Sequence, residues 1–387
     1  MNPKPEYIYI AFDLFPSQKG AATHINHCLK ALQNTYETGL LICLGNDDMP
    51  TFQYDEDRKL YVYRWKEKIV NFLERTQAFQ ENVRALLVSN LCTEVKLIHF
   101  RDIWGGIPIL KTKLKQVVKT VFEINAFASI ELPNRYPNIN PSVLFKIKAL
   151  ECYCVENCDA IITPSNVTKQ YILHTYKVIE KITVIPNGVT TYNVDRSNNN
   201  KTSYILYFGA LQKWQGIKTL FKAFKELEDI NIKLIICASV SEKRVLPQRE
   251  LAKTIGVADR IDWFYELNKD ELALKIVSAL FTVAPLALCD RNLVQGCNPL
   301  KIIESLAYGT PVIASNIPVV KELIDDNETG FLVDADRPEL LGRKMRTLIE
   351  QPKQLQVVGS KGEKHILENY LWKYQEEKMK TIYFNLT

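Results

Sequence analysis

Residues 296–315 read GCNPLKIIESLAYGTPVIAS, and this stretch decides the fold that we expect. Asn298 is a residue type that caps helices and Pro299 suits the first helical position. A helix is therefore predicted to begin here, with free amides and a positive dipole end at its start. Gly309 and Pro311 end that helix, and the apolar residues after them predict a buried strand. The stretch thus combines a helix, a strand and an anion-binding helix start.

Two charged side chains follow the predicted cap. Lys301 adds a full positive charge, and Glu304 lies one turn further into the helix. Because helical side chains lean toward the N-terminus, the Glu304 carboxylate can reach a polar group bound there. The apolar run 279–285 predicts a strand that feeds this loop, and ligands of open α/β sheets bind at such strand ends. On capping alone an ordinary capped helix is the better interpretation, and Lys301 and Glu304 together narrow its advantage over a phosphate and hydroxyl site.

The composition limits the class of protein. The chain has 387 residues, of which 47% are hydrophobic, enough for two domains of ordinary size. A formal net charge of +5 is mild and gives nucleic-acid binding no support. Nine cysteines, an odd number, with no charged and apolar leader ahead of the first strand, predict a reducing cytoplasmic setting. No apolar run is long enough to cross a membrane, so any membrane contact is expected to be peripheral, at the inner face.

Strand-like runs alternate with helix-like runs in both halves of the chain, which predicts parallel α/β sheets. The predicted strands lie at 7–12, 40–44, 97–100, 117–123, 160–163, 204–209, 232–237, 260–264 and 279–285. The polar, aperiodic segment 191–203 predicts a linker between a first domain, 1–190, and a second, 204–365. A helical tail is predicted over 354–383, and the end of the chain, 366–387, is expected to pack back on the first domain.

Each half opens with a loop between a strand and a helix. In the first half, Gly20 and Ala21 stand among small residues that let a backbone approach a ligand. In the second half, Gly209 ends a predicted strand, and Lys213 and Gln215 lie in the loop that follows. Neither loop contains the GxGxxG fingerprint, so a Rossmann NAD site is disfavoured.

Taken in order, these motifs resemble the retaining glycosyltransferases of family 4, which have the GT-B fold. The residues that carry the resemblance are KGAATHI at 19–25, FEINAFASIEL at 122–132, VIPNGV at 184–189, YFG at 207–209, WQG at 214–216, and 299–315. The resemblance covers nearly the full chain. It implies two Rossmann-like domains that face a cleft. It also implies that a sugar passes from a nucleotide-diphosphate-sugar to a hydroxyl acceptor, with retained configuration and no required metal.

The same resemblance implies roles for individual residues. A UDP- or GDP-sugar is the expected donor, and the residues expected to bind it are Gly20, Ala21, Gly209, Gln215, Gly296, Cys297, Asn298, Pro299, Leu300 and Glu304. Glu304 is expected to hold the ribose hydroxyls. Lys213 and Lys301 are the available cations for the diphosphate, whose negative charge grows as the glycosyl bond breaks.

Three departures from the family pattern bear on activity. The family carries two glutamates separated by seven residues, and here the first position is Gly296 while Glu304 is the second. A common arginine and lysine of the donor loop fall on Ala210 and Gln215. Asn125 stands near the expected reaction centre, where many members have a histidine, and an amide cannot act as a general acid or base. A same-face route, in which the departing phosphate takes the acceptor's proton, tolerates that change.

Three functions therefore stay open. The ordered motifs favour a cytoplasmic hexosyltransferase that builds a polysaccharide, a glycolipid or a glycosylated metabolite, with a hydroxyl acceptor that is lipid-linked or polysaccharide. The departures at Gly296, Ala210, Gln215 and Asn125 motivate a second hypothesis, a nucleotide-sugar-binding or scaffolding protein that kept the fold and lost turnover. The third is a GT-B-fold sugar epimerase.

Overall fold

The computed structural model describes residues 4–17, 20–88, 92–112, 116–176, 178, 181–191 and 204–387. The chain divides into two compact units. The first unit is Met1–Pro186 with Gln375–Thr387, and the second unit is Asn187–Tyr374. Two parts of the sequence analysis lie outside the described residues, namely Lys19 of the first loop and all of the predicted linker except position 191.

The first unit is built on one sheet. Its strands are β1 Tyr7–Leu14, β2 Gly39–Leu44, β3 Phe52–Asp55, β4 Leu60–Trp65, β5 Leu97–Phe100, β6 Lys119–Glu123, β7 Ala160–Thr163 and β8 Ile182–Val184. Its helices are α1 Gly20–Gln33, α2 Phe72–Val88, α3 Ile103–Leu110, α4 Ala128–Arg135, α5 Pro141–Asn157 and α6 Asn166–Tyr176. The strand order is β3-β4-β2-β1-β5-β6-β7-β8, and β3 with β4 is the antiparallel pair among the described strands.

The second unit is built on a parallel sheet. Its strands are β9 Tyr204–Gly209, β10 Lys233–Ala238, β11 Ile261–Tyr265, β12 Phe281–Ala284, β13 Val312–Ser315 and β14 Phe331–Val333. The remaining helices are α7 Ile217–Lys225, α8 Leu246–Ile255, α9 Lys269–Ser278, α10 Leu300–Ala307, α11 Pro318–Lys321, α12 Pro338–Glu350, α13 Pro352–Asn369 and α14 Trp372–Leu386. The strand order is β11-β10-β9-β12-β13-β14. Within the described ranges, every helix is too short or too polar to span a membrane.

The alternation of side chains along β9 explains why this strand is central. Tyr204, Leu206 and Phe208 belong to one buried cluster, and Ile205 and Tyr207 belong to another. Because side chains alternate across a strand, the two sets lie on opposite faces of the sheet. Helices cover both faces, which is the arrangement of a parallel sheet in an α/β protein. These two parallel-sheet units confirm the predicted α/β class.

Each sheet has one topological switch point, where the order in which successive strands are added changes side. In the second unit, strands run outward from β9 through β10 and from β12 through β13, so the carboxyl ends of β9 and β12 are neighbours. In the first unit, β1 and β5 are the corresponding pair. Open α/β sheets bind ligands at these switch points. Each unit therefore has one edge at which a ligand site is expected.

The first unit contains a hairpin that the sequence did not predict. None of the strands predicted from the sequence lies between residues 44 and 97, and β4 runs through this interval. Leu60 and Val62 are buried, and the charged Arg64 between them and Trp65 is buried too. Arg64 Nε donates to the Phe15 carbonyl oxygen at 3.1 Å, and this bond accounts for a buried guanidinium in a strand. A charge that is paired inside the protein cannot be distinguished from a solvated one by composition.

The helical tail predicted over 354–383 consists of two helices, because α13 ends at Asn369 and α14 begins at Trp372. The Val189 amide donates to the Tyr370 carbonyl at 2.8 Å, and the Trp372 amide donates to the Val189 carbonyl at 3.2 Å. The break therefore exposes backbone groups that pair with Val189. Glycine is required at position 188, next to Val189, because a Cβ there would lie 2.7 Å from the Trp372 Cα.

Candidate functional site

Lys301 places a cation at the switch point of the second unit. It lies in the first turn of α10, and its Nζ donates to the Tyr207 hydroxyl at 2.8 Å and to Gln215 Oε1 at 2.6 Å. The same Nζ lies 4.0 Å from the centroid of the Tyr207 ring. Gly209 ends β9 beside it, and a Cβ on Gly209 would lie 3.8 Å from Nζ. The ammonium is thus held by neutral partners at the carboxyl end of β9.

Burial shifts the pKa of both charged groups of α10. It lowers the pKa of Lys301 to about 7, against the attraction of the Glu304 carboxylate. It raises the pKa of Glu304 to about 7, against the positive charges of Lys269 and Lys301. Both shifts have desolvation as their main cause, which means that each group lacks the solvation its charge requires. Ionisable groups in this state at a sheet edge are typical of binding or catalytic sites.

The start of α10 differs from the predicted cap. Asn298 does not cap the helix, because α10 begins at Leu300 and Pro299 is the residue that precedes it. The Asn298 side chain is used elsewhere: its Oδ1 accepts from the Asn187 amide at 2.9 Å. Asn187 Nδ2 in turn donates to the Asn298 carbonyl at 2.6 Å. Proline offers no side-chain oxygen to the first amides of α10, so this helix begins without a side-chain cap.

Two loops next to Lys301 are packed into one body. Asn292 is fully buried, and its Nδ2 donates to the Trp214 carbonyl at 3.0 Å and to the Ala287 carbonyl at 2.8 Å. Gly216 has a φ of +70°, and a Cβ on it would lie 1.7 Å from the Pro285 carbonyl oxygen. The loop that carries Gln215 can therefore reach Lys301 only with glycine at 216. Sequence reasoning missed the role of Asn292, whose two partners lie in different loops.

Gly296 has a backbone conformation that favours glycine over residues with a side chain. Arg291–Gln295 forms one π-helical turn, closed by a bond from the Gly296 amide to the Arg291 carbonyl at 3.1 Å. Gly296 then has φ 81° and ψ 166°. This region of backbone space is occupied essentially by glycine. The position of the first glutamate in the family pattern therefore has a backbone that disfavours glutamate.

The other predicted donor residues divide between the units. Gly209 and Gln215 lie beside Lys301, Cys297 lies in the segment that leads into α10, and Leu300 is the first residue of that helix. Lys213 begins the short turn that contains Gln215, and its side chain is exposed. Two of the predicted residues, Gly20 and Ala21, begin α1 of the first unit.

Glu123 forms a second polar cluster, at the switch-point edge of the first unit. It ends β6 and is 3% exposed. Its Oε2 accepts from the Tyr9 hydroxyl at 2.6 Å and lies 3.3 Å from His99 Nε2. Its Oε1 accepts from Arg101 and, at 2.5 Å, from Asn125 Nδ2. Sequence analysis singled out Asn125 and missed Glu123, although a carboxylate at the end of an apolar strand is a visible signal.

The Glu123 cluster is electrostatically compensated and fits a metal ion poorly. Cys28, His99 and Glu123 offer ligand atoms within 4.8 Å of one another. Burial, with the Glu123 charge, raises the pKa of the Cys28 thiol well above its usual range, so the thiol stays protonated. The Arg101 guanidinium already binds the Glu123 carboxylate, and its positive charge would repel a metal cation at this position. A thiolate and an open carboxylate are what a zinc site would need.

Two family models together match residues 19–365 of this chain. The model of "Glycosyl transferases group 1" matches residues 190–365, and that of "Glycosyltransferase Family 4" matches residues 19–192. An uncharacterized glycosyltransferase of Haemophilus influenzae is 25% identical over 329 residues, which is 82% of each chain. The two family matches meet at 190–192, close to the boundary between the units.

Solved structures share the fold at low sequence identity. Sucrose-phosphate synthase of Thermosynechococcus elongatus has a TM-score of 0.82 at 17% identity, with 99% of each chain covered. Anabaena HepE, whose structure contains UDP and glucose, has a TM-score of 0.72 at 13% identity, with 97% of this chain and 98% of that chain covered. These similarities confirm the predicted fold class.

Proposed function

Since this chain belongs to the glycosyltransferases of the family 4 type and is a hexosyltransferase that uses a nucleotide sugar, we propose that it transfers the sugar with retained configuration, without a metal, to a hydroxyl acceptor. The observation that carries the proposal is Lys301, a desolvated ammonium at the carboxyl end of β9 whose hydrogen-bond partners are neutral. UDP is the first nucleotide to test, because HepE is similar to this chain and its structure contains UDP.

The donor diphosphate is the group whose charge changes in the reaction. When the glycosyl bond breaks, negative charge grows on the leaving phosphate, and fixed positive groups lower the energy of that state. Lys301 supplies a full charge, and the first amides of α10 supply the positive end of a helix dipole. Lys213, exposed in the neighbouring turn, is proposed to meet the same diphosphate from solvent.

Glu304 is proposed to hold the ribose of the donor. It lies one turn after Lys301, so both side chains lean toward the start of α10. With a pKa raised to about 7 it can accept a hydrogen bond from a hydroxyl as a carboxylate or donate one as an acid. Its proposed role in ribose binding leaves it unavailable as the nucleophile of a double displacement. The same-face route, in which the phosphate takes the acceptor's proton, is therefore the mechanism that we propose.

The rest of the proposal concerns the acceptor and the setting of the protein. A polysaccharide or lipid-linked hydroxyl in the cytoplasm, at most at the inner membrane face, is proposed from the composition and the motif set. The domain limits 1–190, 204–365 and 366–387 stay a prediction.

The proposal is tested with a panel of UDP-, GDP- and ADP-sugars. One nucleotide class is expected to raise the melting temperature and to give a glycoside whose anomeric configuration, read by NMR, equals that of the donor. EDTA is expected to leave the rate unchanged. An inverted product, or EDTA-sensitive transfer, would contradict the proposed mechanism. Binding without transfer to any acceptor would instead favour the scaffolding alternative, which the backbone of Gly296 specifically supports. An isomerised donor would favour the epimerase.

The ribose role of Glu304 has its own measurement. The wild-type protein is expected to bind UDP about tenfold more tightly than 2′-deoxy-UDP, which is the typical effect of one hydrogen bond to a charged group. Glu304→Gln is expected to weaken UDP binding and to remove most of this preference. Calorimetric titration of both nucleotides into both proteins measures it, and a preference that survives in the variant would assign the ribose to another residue.

A further inference from the structure

We infer that Glu123 is a positioning residue that fixes the amide of Asn125, so that the Asn125 carbonyl oxygen faces a substrate hydroxyl and accepts a hydrogen bond from it. This inference rests on the proposed function, because it concerns the substrate of the same reaction. Glu123 itself is buried and acts through Asn125, which is partly exposed.

The geometry joins the two side chains directly. Asn125 follows β6 by two residues, and its Nδ2 lies 2.5 Å from Glu123 Oε1. The side-chain amide has one donor end and one acceptor end on opposite sides. Whichever end binds Glu123, the other end is presented on the partly exposed side. The orientation of this amide therefore decides whether a substrate meets a donor or an acceptor.

The charge of Glu123 decides that orientation. Burial by itself would raise the pKa of Glu123, but the Arg101 guanidinium and the neighbouring imidazoles of His99 and His24 hold it well below its usual range. The carboxylate is thus ionised and can only accept hydrogen bonds. Asn125 must turn its NH2 toward Glu123, so its Oδ1 points away from the carboxylate.

The surroundings of Glu123 hold it in place from several elements. The titratable and charged groups that face it are Tyr9 of β1, His24 and Cys28 of α1, His99 of β5, Arg101 after β5, and Tyr383 of α14. Arg101 is fixed in turn by Asp13, whose Oδ2 accepts from Arg101 Nε at 3.1 Å. His99 Nδ1 lies 2.9 Å from the Tyr383 hydroxyl. A carboxylate bound on both oxygens cannot rotate to release Asn125.

The same geometry predicts what a histidine at position 125 would do. A neutral imidazole would donate one N–H to Glu123 and present its other ring nitrogen as an acceptor. Asparagine and neutral histidine would then offer a substrate the same polarity. This position requires an oriented acceptor rather than a proton-transfer group.

Asn125→His provides the decisive measurement. Glu123 is expected to raise the pKa of the new imidazole, which is then protonated at lower pH and presents a donor instead of an acceptor. The transfer rate of Asn125→His, divided by that of the wild type at each pH, is expected to fall at least about tenfold between pH 8.5 and pH 5.5. Asn134→His, an exposed substitution on α4, is the control and is expected to give a constant ratio. A ratio that stays level or rises at low pH would overturn the inference.

A double-mutant cycle separates positioning from folding. Glu123→Gln is expected to lower kcat about tenfold or more in the wild-type background and to change it little in an Asn125→Ala background, because the effect passes through Asn125. The affinity for UDP is expected to stay the same in all four proteins. Equal losses of kcat in both backgrounds would overturn the inference. A wild-type protein that transfers no sugar would instead refute the proposed function, so the two failures are distinguishable.

Discussion

Lys301 and Glu123 are both ionisable groups at the carboxyl ends of their sheets, Lys301 partly buried and Glu123 buried, but the protein treats their charges in opposite ways. The Lys301 ammonium has a hydroxyl, an amide oxygen and an aromatic ring around it, all of them neutral, and burial lowers its pKa to about 7. The Glu123 carboxylate accepts from a guanidinium, a hydroxyl and an amide, and its pKa lies well below the usual range. The difference shows that burial alone does not identify a ligand site. A charge that the fold leaves uncompensated can bind a ligand, whereas a compensated one holds the fold.

The comparison is tested most strongly by removing the charge of Lys301. Lys301→Met is expected to lower kcat/KM for sugar transfer by about 10² to 10³-fold, as removal of one fixed charge-stabilising group does in other enzymes. Steady-state kinetics measure the effect. The melting temperature is expected to stay level or rise, because a desolvated charge is removed. Lys218→Met, an exposed lysine of α7, is the matched control and should leave the kinetics unchanged. A lower melting temperature for Lys301→Met would mean that the ammonium is structural.

The opposite result is expected for Glu123. Glu123→Gln removes the counter-charge of Arg101 and is expected to reduce the free energy of unfolding by about 3 kcal/mol, the usual cost of breaking a buried ion pair. Urea denaturation measures it. Glu94→Gln is the control, because Glu94 pairs with Lys4 on the surface at 2.7 Å and such pairs contribute little. Equal stability of the two variants would show that the ion pair between Glu123 and Arg101 does not stabilise the fold.

The site around Lys301 depends on the backbone of Gly216. Gly216→Ala is expected to destabilise the protein by about 2 to 3 kcal/mol, because a Cβ would overlap the Pro285 carbonyl and the residue has φ +70°. Gly256→Ala provides the comparison: it has φ +85° and a Cβ there meets nothing within 4 Å, so the cost is about 1 kcal/mol. Thermal unfolding of both variants separates backbone strain from collision. Equal shifts would mean that the two loops are not packed as described.

The smallest expected effect is a pH dependence of nucleotide binding. Lys301 has a pKa of about 7 without a ligand, and a bound diphosphate raises it, so binding above pH 7 takes up a proton. The affinity for UDP is therefore expected to fall as pH rises from 7.5 to 9, by up to tenfold per pH unit. Glu304 becomes more negative over the lower part of this range and acts in the same direction. Lys301→Arg should flatten the pH dependence of UDP affinity, and Glu304→Gln should remove the smaller contribution that Glu304 makes to it. Calorimetric titration of UDP into each variant measures both effects. A steep slope that persists in Lys301→Arg would exclude Lys301 as its origin.

The sequence could predict those features that depend on local patterns. Apolar runs identified most of the strands, and the charged pair of α10 was visible because Lys301 and Glu304 lie one turn apart. The partners of Asn298 and Glu123 could not be predicted: Asn187 lies 111 residues before Asn298, and Glu123 is bound by Tyr9 of β1 and by Arg101, which follows β5. Such contacts depend on tertiary packing, which a pattern along one segment does not contain. The hairpin through Arg64 was missed for the same reason, since its charge is satisfied by a distant carbonyl.

The backbone of Gly296 also restricts how this protein can change over generations. A single substitution could introduce glutamate at this position, but the new side chain would enter at φ 81° and ψ 166°, where glutamate is strained. The π-helical turn Arg291–Gln295 would have to be rebuilt before a carboxylate became useful, and each partial step costs stability without benefit. The absence of the carboxylate is therefore entrenched by the loop. A laboratory selection for a carboxylate at this position has to vary residues 291–298 together.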